Sequence, residues 1–115
     1  MPAGQYDITC DQGATFSRVI TWKNSNGTPI DLTNYTARMQ VRSNYPSSTV
    51  ILSLTTENSG IALGGVLGTI TLAATATATG AIAADEYVYD LELITGSNVT
   101  RVVEGSFTVT PEVTR

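Results

Sequence analysis

The chain has 115 residues, enough for one domain that buries its own core without disulfides or metals. Its net charge is −4, and its 6 basic residues are scattered, which argues against a nucleic-acid partner. Histidine is absent and Cys10 is the single cysteine, so one chain cannot build a Ser-His-Asp or Cys-His catalytic arrangement or an internal disulfide.

Short segments in which apolar and polar residues alternate dominate the sequence and predict β-strands. In residues 15–22, Phe16, Ile20 and Trp22 share one face. Arg18 intrudes on that face, so we expect either a bulge or a guanidinium that reaches the sheet rim. Residues 23–27 predict a hairpin-type turn, because Asn and Gly tolerate positive φ.

The middle of the chain continues this pattern. Asp31 predicts a one-turn cap ahead of the clearest strand, Thr36–Arg42, and residues 43–48 predict a loop. Further strands are expected at residues 50–55, 61–63 and 68–73, separated by turns rich in Gly and Asn.

Residues 75–84 are ambiguous because they repeat Ala and Thr. We expect a connecting segment with one helical turn near residues 80–84. Low-complexity disorder is the alternative, since such tracts bury little apolar surface.

The last third predicts a long hairpin. Its inward faces are expected to carry Tyr87, Tyr89, Leu91 and Leu93 on one strand and Val103, Phe107 and Val109 on the other. Gly105 leaves a gap on the inner face that Tyr89 could cover. Pro111 should end the pairing, because proline has no N–H to donate.

These elements predict an all-β fold, an immunoglobulin-like two-sheet β-sandwich of about seven to eight short antiparallel strands. A small barrel is the alternative. We expect a single domain over residues 1–115, with residues 1–6 and 111–115 as tails. The sequence has neither a signal peptide nor an apolar stretch long enough to span a membrane, so we expect synthesis in the cytoplasm and no membrane partner.

Few residues suggest chemistry. Cys10 lies near Asp7 and Asp11, whose charges would raise the pKa of a thiol, so we expect an inert filler. Asp90 and Glu92 share a strand face and resemble a carboxylate pair, but alternating carboxylates are also expected on the wet face of a hairpin. Tyr87 and Tyr89 could stack on a sugar, although their register favours the core. We therefore expect no catalytic residue, cofactor or metal site, and no enzyme activity.

Several phrases resemble a family of small phage-encoded Ig-like β-sandwich domains. They are Gln-Gly-Ala-Thr-Phe at 12–16, Gly-Thr-Pro-Ile-Asp-Leu-Thr at 27–33, Ala-Arg-Met-Gln-Val-Arg at 37–42, Gly-Thr-Ile-Thr-Leu at 68–72, Tyr-Val-Tyr-Asp-Leu-Glu-Leu at 87–93, and the closing segment 105–115. The chain is similar over nearly its whole length to the N-terminal attachment domain of upper-baseplate and tail-fibre proteins. The resemblance implies a virion structural protein made in the host bacterium.

The resemblance leaves the position in the particle open. A non-enzymatic adaptor of the tail or baseplate that connects fibres to the tail body is the first hypothesis. A capsid decoration (cement) protein that bridges capsomers is the second, and a carbohydrate-binding module for host adsorption is the third. The first two imply other virion proteins as partners, and a homo-oligomer, with a trimer as one candidate. A charged fraction of only 14% suits a surface that packs against neighbours.

The expected contact residues lie in a loop and in the tails. The loop at 43–48 is expected to present an aromatic side chain, and the tails could add a strand to a neighbouring sheet. The residues concerned are Tyr45, Pro46, Pro2, Pro111, Val113 and Arg115.

Overall fold

The computed structural model describes residues 4–24, 26–44 and 46–113, and these ranges fold into two packed β-sheets. The strands are β1 (Gly4–Gln5), β2 (Ile8–Asp11), β3 (Phe16–Thr21), β4 (Thr36–Arg42), β5 (Val50–Thr55), β6 (Ile61–Leu63), β7 (Thr69–Ala74), β8 (Asp85–Thr95) and β9 (Asn98–Thr110). A 3-10 turn spans Gly65–Leu67, and the helix α1 spans Ala76–Gly80. The predicted all-β, two-sheet fold is confirmed.

The larger sheet has the order β1-β9-β8-β4-β5, with β2 also on β9, and the smaller sheet has the order β3-β7-β6. Most neighbours are antiparallel, as predicted, but β1 and β2 run parallel to β9. The Tyr6 N–H donates to the Glu104 carbonyl between these two short strands (3.0 Å). Asp7 Oδ1 accepts the Ser106 N–H (3.0 Å), so the N-terminal segment is fastened along β9.

The core lies between the sheets and is built from the alternating positions that the sequence indicates. The predicted hairpin face is confirmed, because Tyr87, Tyr89, Leu91 and Leu93 are all buried. Phe107 contacts Phe16 of the smaller sheet edge to face, with ring centroids 5.7 Å apart, and Tyr89 at 6.3 Å. Such aromatic contacts stabilise the packing of the two sheets.

Gly105 lies directly opposite Tyr89, as the predicted gap requires. The backbone of Tyr6 passes over it, and the Tyr89 hydroxyl donates to the Tyr6 carbonyl. A Cβ at position 105 would stand only 2.8 Å from Asp7 Oδ1, so glycine is needed for this close approach.

Two irregularities were not predicted. The register of β8 on β9 shifts between Leu91 and Glu92, so that Val102 and Val103 are both buried. The register of β4 on β5 shifts beside Val41. Both are bulges, which alternation alone does not reveal.

The segment 75–84 is packed, but its helical turn lies elsewhere than predicted. The helix covers Ala76–Gly80, so the expectation of a turn near residues 80–84 is wrong. It begins early because Thr75 Oγ1 accepts the Ala78 N–H and caps it. Thr79 is fully buried and donates to the Ala14 carbonyl (2.8 Å), so the segment is fastened to the body rather than disordered.

The predicted local devices around β3 and β4 are present. Asp31 Oδ1 accepts the Thr33 N–H (2.9 Å), which forms the expected cap. Arg18 lies on the inward side of β3, but its side chain extends to the rim of the sheet, as the second of the two expectations has it. There its guanidinium donates to the Thr9 carbonyl. Neither helical segment in the described ranges is long and apolar enough to cross a membrane.

Candidate functional site: the two outer faces of the sandwich

Among the described residues of strands β3, β6 and β7, no charged side chain points outward from the smaller sheet. Inward positions of β7 such as Ile70 and Leu72 are fully buried, so the alternate positions point away from the core. Across the sheet these outward residues stand in register, with Val19 beside Thr71 and Thr71 beside Ala62. We name the set the neutral face; it consists of Ser17, Val19, Thr21, Ala62, Thr69, Thr71 and Ala73.

A groove of about 410 Å³ adjoins one end of the neutral face. It lies between β5 and the segment that joins β7 to α1, and it shares Ala73 with the neutral face. The residues that line it are uncharged, and the surface they expose is mostly apolar; they include Leu52, Leu54, Ala74, Thr75 and Ala78. We name it the neutral groove.

Exposed apolar side chains accompany this surface. Val19 on β3 is 61% exposed, although valine is usually buried in folded proteins. Val66 and Leu67 are 69% and 64% exposed in the 3-10 turn that precedes β7. No residue of this turn is buried, so the pair adds nothing to the core.

The outer face of the larger sheet is different, because ion pairs cross it. Arg38 Nε lies 2.7 Å from Glu92 Oε1, while Arg101 lies 3.3 Å from Asp90 and 3.3 Å from Glu104. Arg38, Asp90 and Glu92 border a cleft of about 310 Å³ on β4 and β8. We name this surface the charged face.

Arg42 also borders the cleft and is held by its own strand and loop. It donates to the Ser47 carbonyl (2.6 Å) and to Gln40 Oε1 (2.7 Å). The guanidinium therefore braces the loop after β4 rather than pointing freely into the cleft.

Asp90 is a partly buried carboxylate of the charged face. Burial raises its pKa most, and the negative charges of Glu92 and Glu104 raise it further, while Arg101 opposes them. Asp90 and Glu92 each lie in an ion pair with an arginine, which is the arrangement of a solvated network on a hairpin. In the described part of the chain, no group of three His, Cys, Asp or Glu side chains could hold a metal ion.

The tyrosines considered for sugar stacking lie in the core. Tyr87 and Tyr89 are buried, and the Tyr87 hydroxyl donates to the Ala83 carbonyl (2.6 Å). Burial is the main cause that raises the pKa of both phenols. Trp22 and Tyr35 are half-buried and contact each other edge to face at 6.4 Å. The hypothesis that Tyr87 and Tyr89 form a sugar-stacking platform is therefore wrong.

Cys10 lies in the core of the larger sheet. Burial raises the pKa of its thiol, and Asp11 raises it further, while Arg18 acts in the opposite direction. A thiol of this kind is a poor nucleophile, in agreement with a small apolar filler.

Of the predicted contact residues, Pro46, Pro111 and Val113 lie within the described ranges. All three are exposed, and Val113 is 92% exposed. They follow the ends of β4 and β9, which reach the same end of the larger sheet on either side of the start of β8. Pro2, Tyr45 and Arg115 lie outside the described residues.

Parts of both predicted tails are fastened within the chain. Gly4 and Gln5 of the predicted N-terminal tail pair with β9 and so form a strand of their own sheet. At the other end, the Glu112 N–H donates to Gln12 Oε1 (3.0 Å), and Gln12 Nε2 donates to the Ile82 carbonyl (2.8 Å).

Side chains cover parts of the exposed edges of both sheets. Asn58 accepts the Thr55 N–H (2.9 Å) and donates to the Ser53 carbonyl (3.1 Å) at the edge of β5. Arg18 donates to the Ser17 and Thr9 carbonyls at the edges of β3 and β2. Blocked edges of this kind discourage strand addition, so the faces become the better candidates for contact.

Sequence reasoning did not find the neutral face. Its signal was present, because β3 and β7 alternate core residues with Ser, Thr, Val and Ala, but the two strands lie far apart in the chain. No protein-family model matches the chain, and no curated protein matches it. The contrast between the two outer faces is therefore the main basis for a functional assignment.

Proposed function

We propose that this protein is a non-enzymatic docking module and a structural part of a phage particle. The first candidate position is the tail or baseplate, where the module would connect fibres to the tail body. The motifs that resemble phage attachment domains support this proposal, and so does the two-sheet fold. Its partners would be other virion proteins and further copies of itself.

The observation that carries the proposal is the neutral face with its adjoining groove. Burying an ion pair removes full charges from water at a high cost, whereas a covered Ser or Thr hydroxyl costs less and can regain a hydrogen bond from the neighbour, and a covered Ala methyl costs nothing. An uncharged strand surface that includes exposed Val19, with exposed Val66 and Leu67 in the turn before β7, is thus suited to permanent contact. A protein that assembles into a particle needs such a surface.

Capsid decoration is the second candidate, because a cement protein requires the same kind of surface. Copy number separates the two positions: a cement is present in hundreds of copies, a tail part in tens or fewer. A carbohydrate-binding module has weaker support, since Tyr87 and Tyr89 lie in the core.

Co-sedimentation tests the proposal. The purified protein is mixed with separated heads and separated tails of the phage that encodes it, and bound copies are counted per particle. We expect saturable binding of tens of copies or fewer to tails. Hundreds of copies on heads would replace the tail assignment by cement, and saturating protein that binds neither would contradict virion docking.

Two matched variants locate the contact. Thr71→Lys places a charge at the centre of the neutral face, and Thr36→Lys places the same charge on the outer side of β4. We expect Thr71→Lys to lose binding and Thr36→Lys to retain it, with both proteins folded. The reverse result would assign docking to the charged face.

A further inference from the structure

The first and last strands of the described chain lie side by side and run in the same direction. Strand β2 pairs with β9 in parallel, from Ile8 opposite Phe107 to Asp11 opposite Thr110. Strand β1 begins opposite Val103, and β9 ends at Thr110, seven residues further along. At about 3.3 Å per residue, the points where the chain enters β1 and leaves β9 are about 23 Å apart along the strands. A pull on these two points is therefore directed along the strands rather than across them.

The direction of a pull decides how many hydrogen bonds carry the load. Parallel strands that are pulled from opposite ends slide past each other, so the bonds between them are loaded together and must break together. An antiparallel hairpin that is pulled at its open end has its outermost bond loaded first, and the bonds break one after another. The β8–β9 hairpin has its open end at Asp85 and Val109. Strand β9 thus belongs to one pair that is sheared as a unit and to another that can be unzipped.

Hydrogen bonds beyond the paired strand residues fasten the N-terminal segment to β9. The Gln12 N–H donates to the Thr110 carbonyl (3.0 Å), directly after β2 ends. The Thr110 hydroxyl donates to Asp11 Oδ1 (2.9 Å). Between β1 and β2, Asp7 Oδ1 accepts the Ser106 N–H (3.0 Å). These bonds cross the same boundary as the strand pairing, so they share its load.

The side chains of β2 oppose sliding as well. Ile8 and Cys10 are 1% and 2% exposed in the core. A slip of β2 by one residue would turn both outward and would turn Thr9 and Asp11 toward the core. From the smaller sheet, Arg18 donates to the Thr9 carbonyl (2.7 Å). Strand β2 is therefore fixed to both sheets.

We propose that β1 and β2, together with residues 103–110 of β9, form a terminal clamp that lets this domain bear tension along its strands. The inference rests on the docking function proposed above, because a module that connects fibres to a tail body transmits the pull of a bound fibre. Under that load, the parallel pair must be sheared and two buried side chains must leave the core before the rest of the sandwich opens.

Single-molecule force spectroscopy in two pulling directions tests the terminal clamp. Handles attached at Gly4→Cys and Val113→Cys shear β1 and β2 from β9, whereas handles at Ala84→Cys and Val113→Cys unzip the β8–β9 hairpin. All three positions are exposed, and Cys10 is too buried to compete for the handles. We expect the unfolding force to be about twofold higher or more in the first direction, because the bonds break together. Equal forces in the two directions would overturn the terminal clamp.

Two proline variants locate the bonds that carry the load. Because the Gln12 N–H donates to β9, the Cys10 N–H two residues earlier also faces β9, while the Thr9 N–H faces away. Cys10→Pro therefore removes a bond between the two strands, and Thr9→Pro removes none. We expect Cys10→Pro to lower the shear force by about a third or more, and Thr9→Pro to leave it unchanged. Equal shear forces in the two variants would contradict the terminal clamp.

Two aspartate variants give the same test without a change in the backbone. Asp7 and Asp31 are both exposed, and each accepts one backbone N–H, that of Ser106 in the terminal clamp and that of Thr33 before β4. Asp7→Ala should lower the shear force, whereas Asp31→Ala should leave it unchanged. Urea denaturation measures the stability of both variants. An equal loss of shear force in both would mean that the force follows overall stability, which would overturn the terminal clamp.

Resistance to force and particle binding are measured separately, so the two proposals can fail independently. A domain that resists shear along its strands but binds neither heads nor tails would reject only the virion role. A domain that binds tails but unfolds at equal forces in both directions would reject only the terminal clamp.

Discussion

The two outer faces of the sandwich share one core but differ in what they present to a neighbour. On the charged face, Arg38 and Arg101 neutralise carboxylates on β8 and β9 within a hydrated network. On the neutral face, Val19 and Thr71 stand among Ser, Thr and Ala. If the neutral face is the contact surface, the fold keeps its ions on the opposite side, where they stay hydrated, because covering an ion pair costs more than covering a hydroxyl that can find a new hydrogen bond.

The largest expected effect comes from the core on which both faces depend. Phe107→Ala removes the ring that contacts Phe16 and Tyr89, and should lower the free energy of unfolding by about 3–5 kcal/mol. Urea denaturation measures the change. Thr108→Ala, the next residue on the outward side of β9, is the control and should stay within about 0.5 kcal/mol. Equal losses in both variants would contradict the assigned register.

The sequence contains most of this core, because alternation in β4, β8 and β9 marks inward positions such as Met39, Leu91 and Phe107. It does not contain the parallel pairing of β2 with β9, since Ile8 and Phe107 are distant in the chain and no local pattern joins them. The neutral face escaped prediction for the same reason. An absence of charge becomes visible only after the strands are placed side by side.

The next largest effect on stability concerns the edge of β5. It tests whether the sheet edges or the sheet faces make contacts with other molecules. Asn58→Ala removes the side-chain partner of the Thr55 N–H and the Ser53 carbonyl and should cost about 0.5–1.5 kcal/mol, because water can reach these exposed groups in its place. It should also open the edge to strand addition, so we expect aggregation on concentration. Light scattering and urea denaturation measure both effects. Asn98→Ala, at the exposed first residue of β9, should show neither effect.

A smaller effect distinguishes the two faces by their response to salt. Arg38→Ala removes the exposed pair with Glu92 and should cost about 0.5 kcal/mol, a difference that shrinks in about 1 M NaCl. Thr21→Ala on the neutral face should change stability by an amount that salt does not alter. Thermal unfolding at low and high salt measures both variants. A salt-independent loss in Arg38→Ala would mean that its alkyl chain, rather than its charge, stabilises β4.

The smallest expected effect is a pH dependence of opposite sign at two carboxylates. The Ser106 N–H holds the pKa of Asp7 below its usual value of 3.8, so the native state favours the ionised form. Asp7 therefore stabilises the fold above that pH, and the contribution is lost as the pH falls through the folded pKa. Burial raises the pKa of Asp90, so its ionised form destabilises the fold. Protonation of Asp90 as the pH falls through its folded pKa removes this destabilising contribution.

The free energy of unfolding is measured as the pH is lowered from about 6 to about 3. It should decrease less steeply in Asp7→Asn, and more steeply in Asp90→Asn, than in the unmodified chain. If Asp90→Asn instead flattened the profile, its ion pair with Arg101 would outweigh its burial, and the charged face would stabilise the fold as well as keep it hydrated.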